Sequence, residues 1–431
     1  MSNFVIKGGS KLFGEVVISG AKNASMPILI ASILSDKKTI IQNIPFVDDV
    51  TNLLSILTSV GSRVTMLDSG MRESLEIENF EIKCELENQT EMNKIRTSIL
   101  LLGPLLGRNG YAKLSRPGGC KIGERKIDQH IYAMECLGAT VREHDTYIEA
   151  TTAGKKLRGA EIVFPFVSVG ATENAITAAV LAEGKTIIKN AAIEPEIQDL
   201  ISFLNAIGAK ITQLDRTITI DGVSELKPAK YSIMPDRIEA ATYAIMAAIT
   251  NGELVLRNVS LDVFGNILSI MGNLGVDLEE FSDSGTLCVR CRKKQSFVFA
   301  DNLKLATNPY PEFPTDLQPQ VMAMLAVMDG TSEITENIFE NRLQHVEYLN
   351  KMGANISING NVATIRGVSD LKGARVLGTD LRASAALVTA ALVANGVTIV
   401  ENIEYIDRGY HNIERNLRNC GVEIERTDAG S

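Results

Sequence analysis

The apolar and polar positions of the chain follow one pattern that recurs six times. In each copy, helical stretches rich in Ala, Leu, Ile and Met are separated by short runs in which apolar and polar residues alternate, as they do in strands. The second helical stretch of each copy runs into a glycine and then a strand-like run, as in CLGATV and AIGAKI. These glycines lie roughly 70 residues apart, which is the period of a repeat architecture. They are Gly61, Gly138, Gly208, Gly275, Gly353 and Gly421.

A second marker is a strand-like run that closes in asparagine, as in TIIQN and LVLRN. The asparagines of this type are Asn43, Asn190, Asn258, Asn337 and Asn402. The glycines stand where a helix would end in a left-handed turn, a conformation that glycine adopts without strain. Together the two markers predict the order strand, helix, strand, helix, strand, strand. The expected fold is therefore α/β, built from six repeated βαβαββ units.

The two ends of the chain are expected to meet. The N-terminal stretch FVIKGGSKLFGEVVISG matches TIRGVSDLKGARVLGT, which begins at Thr364 and bridges the fifth and sixth copies. The last copy ends in GVEIERTDAGS and lacks a final strand. We therefore predict that residues near Phe4 to Ile18 supply that strand. Two domains of three repeats follow, residues 22–234 and residues 1–21 plus 235–431, in agreement with the size of a 431-residue chain.

Composition excludes several classes of protein. The 43 Lys and Arg against 52 Asp and Glu give a net charge of −9, which disfavours a binder of nucleic-acid backbones. Aromatic residues make up 5% and Trp is absent, so little surface is available for stacking bases. The N-terminus does not have the pattern of a signal peptide, and no stretch has that of a membrane span. A cytoplasmic protein without disulfides is expected, since the six cysteines are sparse and irregularly spaced.

Candidate chemistry lies where helices are predicted to begin. The predicted starts of the first helices are Lys22-Asn23, Arg96, Ser168-Val169-Gly170, Asp236-Arg237, Asp316 and Arg382. Those of the second helices are Asp49, Arg125, Glu196, Asp262, Arg342 and Arg408. Acidic residues such as Asp236, Asp262 and Glu196 are expected there as caps. Cations are not, because a cation at a helix N-terminus opposes the dipole by up to about 1 kcal/mol.

Six cations at such positions indicate a shared bound anion, although any one of them alone could be a solvated charge. They are Lys22, Arg96, Arg125, Arg342, Arg382 and Arg408. The second copy also carries an inserted Gly-rich loop, RPGGCKIGER, from Arg116 to Arg125. Cys120 in this loop is flanked by Lys121 and Arg125, cations that favour a reactive thiolate. A loop of this kind is a candidate lid.

Metal chemistry is not indicated. The pair Cys288 and Cys291 is a lone CxxC in an alternating run, LCVRCR, which would place the two thiols on opposite faces of a strand. A structural zinc site needs four ligands, and no second pair exists. The four histidines His130, His144, His345 and His411 have no metal-binding spacing either. His130 is a candidate for orienting the loop that carries Cys120.

Seven motifs resemble, in order and over essentially the whole chain, the UDP-N-acetylglucosamine 1-carboxyvinyltransferases. They are SGAKNASMPIL, RPGGCKIGER, SVGATENA, FPTDLQPQ, FENRLQH, TDLRASAALV and IDRGYHNIE. This family is similar to the enolpyruvyl transferase of aromatic amino-acid synthesis, which lacks the cysteine loop. The resemblance implies an inside-out α/β barrel, or β-prism. It also implies transfer of the enolpyruvyl group of phosphoenolpyruvate to the 3-hydroxyl of UDP-N-acetylglucosamine, with release of phosphate, as the first committed step of peptidoglycan synthesis.

The resemblance also implies roles for individual residues. Lys22, Arg125 and Arg408 would hold the phosphate of phosphoenolpyruvate, together with Asn23, and Arg342 and Arg382 would hold its carboxylate. The UDP-sugar would contact Asn23, Arg96, Arg125, Lys126, Ile127, Asp128, Gln129, Ser168, Val169, Gly170, Asp316 and Ile338. Cys120 is the candidate proton donor and Asp316 the candidate base, with Lys22 and Arg408 in catalytic positions. No metal or organic cofactor is implied, and the partners are the two small substrates, with no nucleic acid, membrane or obligatory protein.

Two departures from the family pattern and two alternatives stay open. Lys126 follows Arg125 where the family often has Pro, and Phe166-Val167 stand where some members carry Lys. The chain could be a weakly active paralogue that binds the UDP-sugar and acts as a regulator. It could also be the shikimate-pathway enolpyruvyl transferase.

Overall fold

The structure is a computed structural model that describes residues 2–67, 73–86, 92, 95–118, 122–294 and 302–428. The chain forms two compact units. Unit one comprises Met1–Ser19, Lys121–Glu124 and Pro235–Ser431, and unit two comprises Gly20–Cys120 and Arg125–Met234. Each has its own apolar core. The domain boundaries expected from the sequence, 22–234 and 1–21 with 235–431, stay a prediction.

The described residues form the following elements. The strands are β1 (Ser2–Lys7), β2 (Phe13–Val17), β3 (Thr39–Gln42), β4 (Arg63–Leu67), β5 (Ser74–Glu78), β6 (Glu85–Leu86), β7 (Tyr111–Ser115), β8 (Thr140–Glu143), β9 (Tyr147–Thr151), β10 (Glu161–Val163), β11 (Lys185–Lys189), β12 (Lys210–Leu214), β13 (Thr217–Asp221), β14 (Ala229–Ser232), β15 (Glu253–Arg257), β16 (Val276–Asp283), β17 (Thr286–Lys293), β18 (Leu303–Ala306), β19 (Thr331–Thr335), β20 (Asn355–Asn359), β21 (Val362–Arg366), β22 (Arg375–Leu377), β23 (Val397–Glu401) and β24 (Glu423–Asp428). The helices are α1 (Lys22–Ala31), α2 (Asp48–Val60), α3 (Leu102–Asn109), α4 (Asp128–Cys136), α5 (Val169–Ala179), α6 (Pro195–Ala206), α7 (Arg237–Ile249), α8 (Leu261–Phe264), α9 (Ile267–Asn273), α10 (Gln318–Leu325), α11 (His345–Lys351), α12 (Leu381–Ala391), α13 (Glu404–Asp407) and α14 (Ile413–Asn419). Single-turn and two-turn 3-10 helices span Ser32–Leu34 and Arg96–Leu101.

Six four-stranded sheets repeat one topology. Their strand orders are β14-β3-β5-β4, β6-β7-β9-β8, β10-β11-β13-β12, β2-β15-β17-β16, β18-β19-β21-β20 and β22-β23-β1-β24. In each sheet the first two strands are parallel, and the last two form an antiparallel pair, as in β10 with β11 and β12 with β13. In four of the sheets the two parallel strands are consecutive in the chain and are joined through a helix, as a parallel connection requires. This arrangement confirms the predicted fold of six βαβαββ units.

The N-terminal strand completes the last repeat, as the sequence predicts. β1 lies between β23 and β24 and is antiparallel to both, with Phe4 opposite Val400 on one side and Arg426 on the other. Phe4 is fully buried in the core of unit one. The first and last strands of the chain therefore share one sheet. In the strand order of that sheet β1 holds the third position, which the second strand of the antiparallel pair holds in the other five sheets.

The first strand of two repeats differs from the sequence-based expectation. The run GEVVISG precedes α1, yet β2 pairs in parallel with β15 of the fourth repeat, with Val16 opposite Leu256. The first repeat instead takes β14, which pairs with β3. Two backbone hydrogen bonds fix this exchange, from Ala21 N–H to the Met234 oxygen at 2.7 Å and from Asp236 N–H to the Ser19 oxygen at 2.9 Å. Both runs have the same strand pattern, so sequence alone does not reveal the exchange.

The first helix of a repeat is buried on all sides, whereas the second has one apolar face. Nearly all residues of α5, α7, α10 and α12 are buried, in line with their apolar composition around the full helix. In α2, by contrast, the buried residues recur at helical spacing and the rest face solvent. Close packing uses small residues, since a Cβ at Gly103 of α3 would lie 2.5 Å from the Asn174 oxygen. No helix among the described residues is long and apolar enough to cross a membrane.

The helix-end glycines have the backbone conformation that the sequence predicts, and most strand-end asparagines share it, which was not predicted. All six helix-end glycines have positive φ, between 73° and 111°. Four of the five strand-end asparagines also have positive φ, and Asn337 does not. The amide of Asn190 donates to the Phe164 oxygen at 2.9 Å and so ties the end of β11 to the segment that follows β10. Asn43 and Asn258 make the corresponding bonds to Ile233 and Ile18.

Candidate functional site

Lys22 begins α1 in unit two and is paired with a carboxylate. Its Nζ lies 2.7 Å from the Asp49 Oδ2, and the two side chains are only 14% and 6% exposed. Asp49 stands in the first turn of α2, where a carboxylate is favoured by the helix dipole. The positive charge at the start of α1 is therefore offset within the protein. Asn23, the next residue, is exposed.

Arg96 contacts the segment that precedes α4. Its Nη2 donates to the backbone oxygens of Arg125 and Lys126, to the latter at 3.3 Å. Burial, followed by the nearby charge of Arg125, lowers the pKa of Arg96 to about 10. The side chains of Arg125, Lys126 and Asp128 are exposed, while Ile127 and Gln129 are buried. Arg96 thus fixes the backbone of a segment whose charged side chains point to solvent.

The start of α5 is capped and partly open. The Ser168 hydroxyl accepts a hydrogen bond from Ala171 N–H at 3.4 Å, and Val169 is 38% exposed. His130 packs beside Gly170, where an added Cβ would lie 3.1 Å from the ring. The His130 Nδ1 lies 3.0 Å from the Asn174 amide nitrogen. Burial, then Arg96 and Arg125, lowers the pKa of His130 to about 3, so the ring is neutral near pH 7.

In unit one a single carboxylate lies between two arginines. Asp316 Oδ1 is 3.0 Å from Arg342 Nη2, and Asp316 Oδ2 is 2.8 Å from Arg382 Nη2. The arginine side chains are 3% and 4% exposed, against 27% for Asp316. Burial opposes the charge of Arg382, but the neighbouring carboxylate of Asp316 outweighs it and the pKa of Arg382 is raised. The cluster is a pair of buried cations with one partly exposed internal anion.

Sequence reasoning missed several residues that organise this cluster. Glu336 is buried and accepts from the backbone N–H groups of Ile338 and Phe339 at 2.9 and 3.1 Å. Its other oxygen accepts from the Thr315 hydroxyl at 3.0 Å, beside Asp316. Glu336 therefore joins the segments that carry Ile338 and Asp316. The signal available in the sequence was an acidic residue directly before the strand-end Asn337.

The helix starts are partly as predicted. Lys22, Arg96 and Arg382 stand in the first turn of α1, the 3-10 helix and α12, and Asp236 caps α7 through its side chain. Arg125 and Arg342, however, lie three residues before α4 and α11, and Asp316 lies two residues before α10. Arg408 directly follows α13, at the end of a helix, where a cation is favoured. The proposed conflict with a helix dipole thus holds for three of the six cations.

The cysteine loop is described only in part. Cys120 and Lys121 lie outside the described residues, so the predicted proton donor is not placed. Arg116 at the beginning of the loop is held by the His144 oxygen at 2.7 Å and by the Glu143 carboxylate at 3.1 Å. Residue Ile122, which belongs to unit one, accepts from Asn341 N–H at 2.9 Å, next to Arg342.

The remaining cysteines have structural surroundings. Cys84, Cys136, Cys288, Cys291 and Cys420 are free thiols. Burial raises the pKa of Cys291 to about 12, which keeps it a thiol. Among the described residues, no group of three or more His, Cys, Asp or Glu side chains could hold a metal ion.

Comparison with known proteins places these residues in a family. The model of the EPSP synthase (3-phosphoshikimate 1-carboxyvinyltransferase) family matches residues 6–417. The chain belongs to this family of carboxyvinyltransferases. Its fold is shared with the enolpyruvyl transferase NikO of Streptomyces tendae, at a TM-score of 0.88, 22% identity and 99% coverage of both chains. The EPSP synthase of Acinetobacter baumannii matches at a TM-score of 0.77, with 17% identity over 99% of this chain and 100% of that one.

More similar relatives define the group within the family. A protein of Gluconobacter oxydans named UDP-N-acetylglucosamine 1-carboxyvinyltransferase is 45% identical over 430 residues, 99% of both chains. A protein of Coxiella burnetii with the same name is also 45% identical, over 100% of this chain and 97% of its own. A Carboxydothermus hydrogenoformans protein named UDP-N-acetylglucosamine 1-carboxyvinyltransferase 2 is 46% identical over 99% of both chains. The resemblance inferred from the seven motifs is confirmed.

Proposed function

We propose that the protein transfers the enolpyruvyl group of phosphoenolpyruvate to the 3-hydroxyl of UDP-N-acetylglucosamine and releases phosphate. The observation that carries this proposal is the 45% identity, over the full chain, to proteins named for that reaction. The solved enolpyruvyl transferases of known fold are only 17% to 22% identical and support the fold alone. They therefore do not favour the shikimate-pathway alternative.

The residues of unit one suit two roles in this chemistry, that of the base and that of the cations that bind phosphoenolpyruvate. Addition of a hydroxyl to the enol phosphate needs a base for the hydroxyl proton and cations for the developing charges. Asp316 is the base in our proposal, and Arg342 and Arg382 bind the carboxylate of phosphoenolpyruvate. Burial of the two arginines supports this role, because a charge–charge contact is stronger where water is excluded. Arg408 binds the phosphate, and Ile338 contacts the UDP-sugar.

The proposal assigns the remaining roles to residues of unit two. Lys22, Asn23 and Arg125 bind phosphoenolpyruvate, and Arg96, the segment 125–129 and the start of α5 at Ser168, Val169 and Gly170 bind the UDP-sugar. In the addition step the 3-hydroxyl oxygen bonds to C2 of phosphoenolpyruvate while Cys120 delivers a proton to the methylene carbon. In the elimination step the methyl group returns a proton to the Cys120 thiolate, the C2–O bond to phosphate breaks, and the proton that Asp316 took from the 3-hydroxyl leaves with the phosphate. The products are enolpyruvyl UDP-N-acetylglucosamine and phosphate, and no oxidant or metal is needed for the balance.

Phosphate release tests the function directly. Purified protein should release phosphate only when phosphoenolpyruvate and UDP-N-acetylglucosamine are both present. Shikimate 3-phosphate in place of the UDP-sugar should give none. Release with shikimate 3-phosphate alone as acceptor would assign the chain to the other pathway. Tight binding of the UDP-sugar with turnover orders of magnitude below a typical enzyme would instead support the regulatory paralogue.

Alkylation tests the role of Cys120. Fosfomycin should add one adduct, located by mass spectrometry on the peptide that contains residues 116–125. Cys120→Asp should abolish the adduct and retain some turnover, because a carboxylic acid can still deliver a proton. Cys84→Ser is the matched control, since Cys84 is a partly exposed thiol outside the loop, and it should change neither property. An adduct on Cys84 in the unmodified chain would refute the assignment.

The place of action follows from the substrates. Phosphoenolpyruvate and nucleotide sugars are made in the cytoplasm, so we propose that the protein acts there as a step of cell-wall synthesis. Cell fractionation with detection of the native protein tests this, and recovery in the membrane or periplasmic fraction would contradict it.

A further inference from the structure

Arg382 contacts Tyr410, a residue that is not among the predicted site residues. Its Nη2 contacts Asp316, and its Nη1 lies 3.4 Å from the hydroxyl of Tyr410. The guanidinium carbon also lies 5.8 Å from the centre of the Tyr410 ring. Tyr410 is 2% exposed and Arg382 4%, so water does not substitute for this contact. The guanidinium is thus hydrogen-bonded to the Asp316 carboxylate and to the Tyr410 phenol, and the charge of Asp236 also acts on it.

The hydroxyl of Tyr410 belongs to a buried network that joins three repeats. It lies 2.9 Å from the Thr242 hydroxyl on α7 and 3.1 Å from the Gln320 amide nitrogen on α10. Thr242 donates its own proton to the Ile238 oxygen, four residues earlier, at 2.7 Å. The Thr242 oxygen therefore accepts from Tyr410. The lone pairs of the phenol oxygen then accept from two donors, Gln320 and Arg382.

Two properties keep this network in one arrangement. Burial raises the pKa of Tyr410 above its ordinary value, so the phenol keeps the proton that it donates to Thr242. The adjoining residue, Gly409, also packs closely against α12, since a Cβ at this position would lie 2.5 Å from a methyl carbon of Leu381. Arg408, Gly409 and Tyr410 are consecutive, so one short segment carries a proposed phosphate-binding cation and a contact to a second cation.

We propose that Tyr410 is a positioning residue for Arg382, oriented by Thr242 and Gln320, and that it thereby sets the affinity for the carboxylate of phosphoenolpyruvate. The proposal rests on the function proposed above. A hydrogen bond to a charged, buried group is the kind whose loss is most costly. Without the phenol oxygen, Arg382 keeps its contact to Asp316 but loses the acceptor that fixes the other side of its planar guanidinium.

Tyr410→Phe tests the proposal, with Tyr243→Phe as the matched control. Tyr243 is 1% exposed in the same unit, and its hydroxyl accepts from the Asn416 amide at 3.1 Å rather than from an arginine. Tyr410→Phe should raise the KM for phosphoenolpyruvate about 10- to 100-fold, the factor expected for losing a hydrogen bond to a charged group. The KM for UDP-N-acetylglucosamine should stay within about twofold. Tyr243→Phe should leave both constants within the same limit.

A second pair of variants tests the orientation. Thr242→Val removes the acceptor of the phenol proton and should raise the KM for phosphoenolpyruvate in the same direction, whereas Thr242→Ser keeps the hydroxyl and should restore it. An unchanged KM for phosphoenolpyruvate in Tyr410→Phe, or an equal change for both substrates, would overturn the proposal.

Calorimetric titration with phosphoenolpyruvate alone separates this proposal from the proposed function. If the wild-type protein releases no phosphate, the function fails, while the loss of affinity between wild type and Tyr410→Phe still tests the positioning role. Equal affinities in the two proteins would overturn it.

Discussion

Replacing Asp316 by Asn should increase the affinity for phosphoenolpyruvate, whereas most substitutions in a binding site lower the affinity for the ligand. In the structure this carboxylate occupies the donors of Arg342 and Arg382 at 3.0 and 2.8 Å. An incoming carboxylate that binds the same two arginines must displace it. Asp316→Asn removes the competing charge and keeps the shape, so we expect phosphoenolpyruvate to bind the variant more tightly than the wild type, although turnover is lost with the base.

The magnitude follows from the geometry. Two unit charges about 4 Å apart near a protein surface interact by about 4 kcal/mol. Asp316 is 27% exposed, so solvent screens part of this energy. We take about half, roughly 2 kcal/mol, as the net preference of the arginines for Asp316, which corresponds to about a 30-fold gain in affinity once that competitor is removed.

Calorimetric titration of phosphoenolpyruvate into each protein, without UDP-N-acetylglucosamine and at low ionic strength, measures this gain. Asp262→Asn is the control, because Asp262 lies in the first turn of α8 in the same unit and its removal changes the net charge equally. It should leave the affinity within about twofold, since a single exposed charge contributes little. Equal or weaker binding by Asp316→Asn would refute the view that Asp316 competes with the ligand.

Three further predictions concern stability. Lys22→Met should destabilise the protein by about 3 kcal/mol in urea unfolding, because it removes the cation that pairs with the buried Asp49 carboxylate. Lys22→Met with Asp49→Leu should recover most of that loss but no activity. Equal stability of the single and double variants would contradict this. Burial raises the pKa of Glu239 from 4.5 to about 7, so the folded protein binds a proton there that the unfolded chain releases. Wild-type stability therefore falls as pH rises through that interval, and the advantage of Glu239→Gln over wild type should grow by about 3 kcal/mol between pH 4.5 and pH 8. A constant difference in unfolding free energy would show that the site does not titrate. Asn190→Ala should lower the unfolding free energy by about 2 kcal/mol, because alanine is strained in the left-handed conformation and the side-chain hydrogen bond is lost. Asn190→Gly should lower it by only about 1 kcal/mol, since glycine is not strained there and only the hydrogen bond is lost. An equal loss in both variants would rule out the backbone contribution.

The fold could be predicted from the sequence because its markers are local. A glycine that adopts positive φ is visible at the end of the second helical stretch of each copy, and the regular spacing of these glycines gives the six repeats. The exchange of β2 and β14 could not be predicted in the same way. Both are edge strands of similar pattern that pair in parallel with a neighbour, and the choice between them depends on where the chain crosses at Gly20 and Pro235.

For the candidate site, the sequence predicted which charged residues belong to it but not which residues contact one another. Arg342 and Arg382 were found as cations near predicted helix starts, but their partner Asp316 is distant in sequence from Arg382 and its pairing depends on tertiary structure. Tyr410 lies within a recognised motif, yet nothing in its immediate neighbours shows that its hydroxyl meets Arg382. Contacts of this kind come from the packing of α7, α10 and α12, which no local pattern specifies.

The ion pair of unit two and the two ion pairs of unit one differ in which partner is more exposed. In the pair of Lys22 with Asp49 the carboxylate is the more buried partner, at 6% against 14% exposure. In the pairs of Arg342 and Arg382 with Asp316 the carboxylate is the more exposed partner, at 27% against 3% and 4%. A partly exposed carboxylate is stabilised by water when it leaves its arginines, whereas a buried one is not. Under the function proposed above, Asp316 is therefore the partner that an anionic substrate displaces, and its displacement from the arginines makes its carboxylate available as the base.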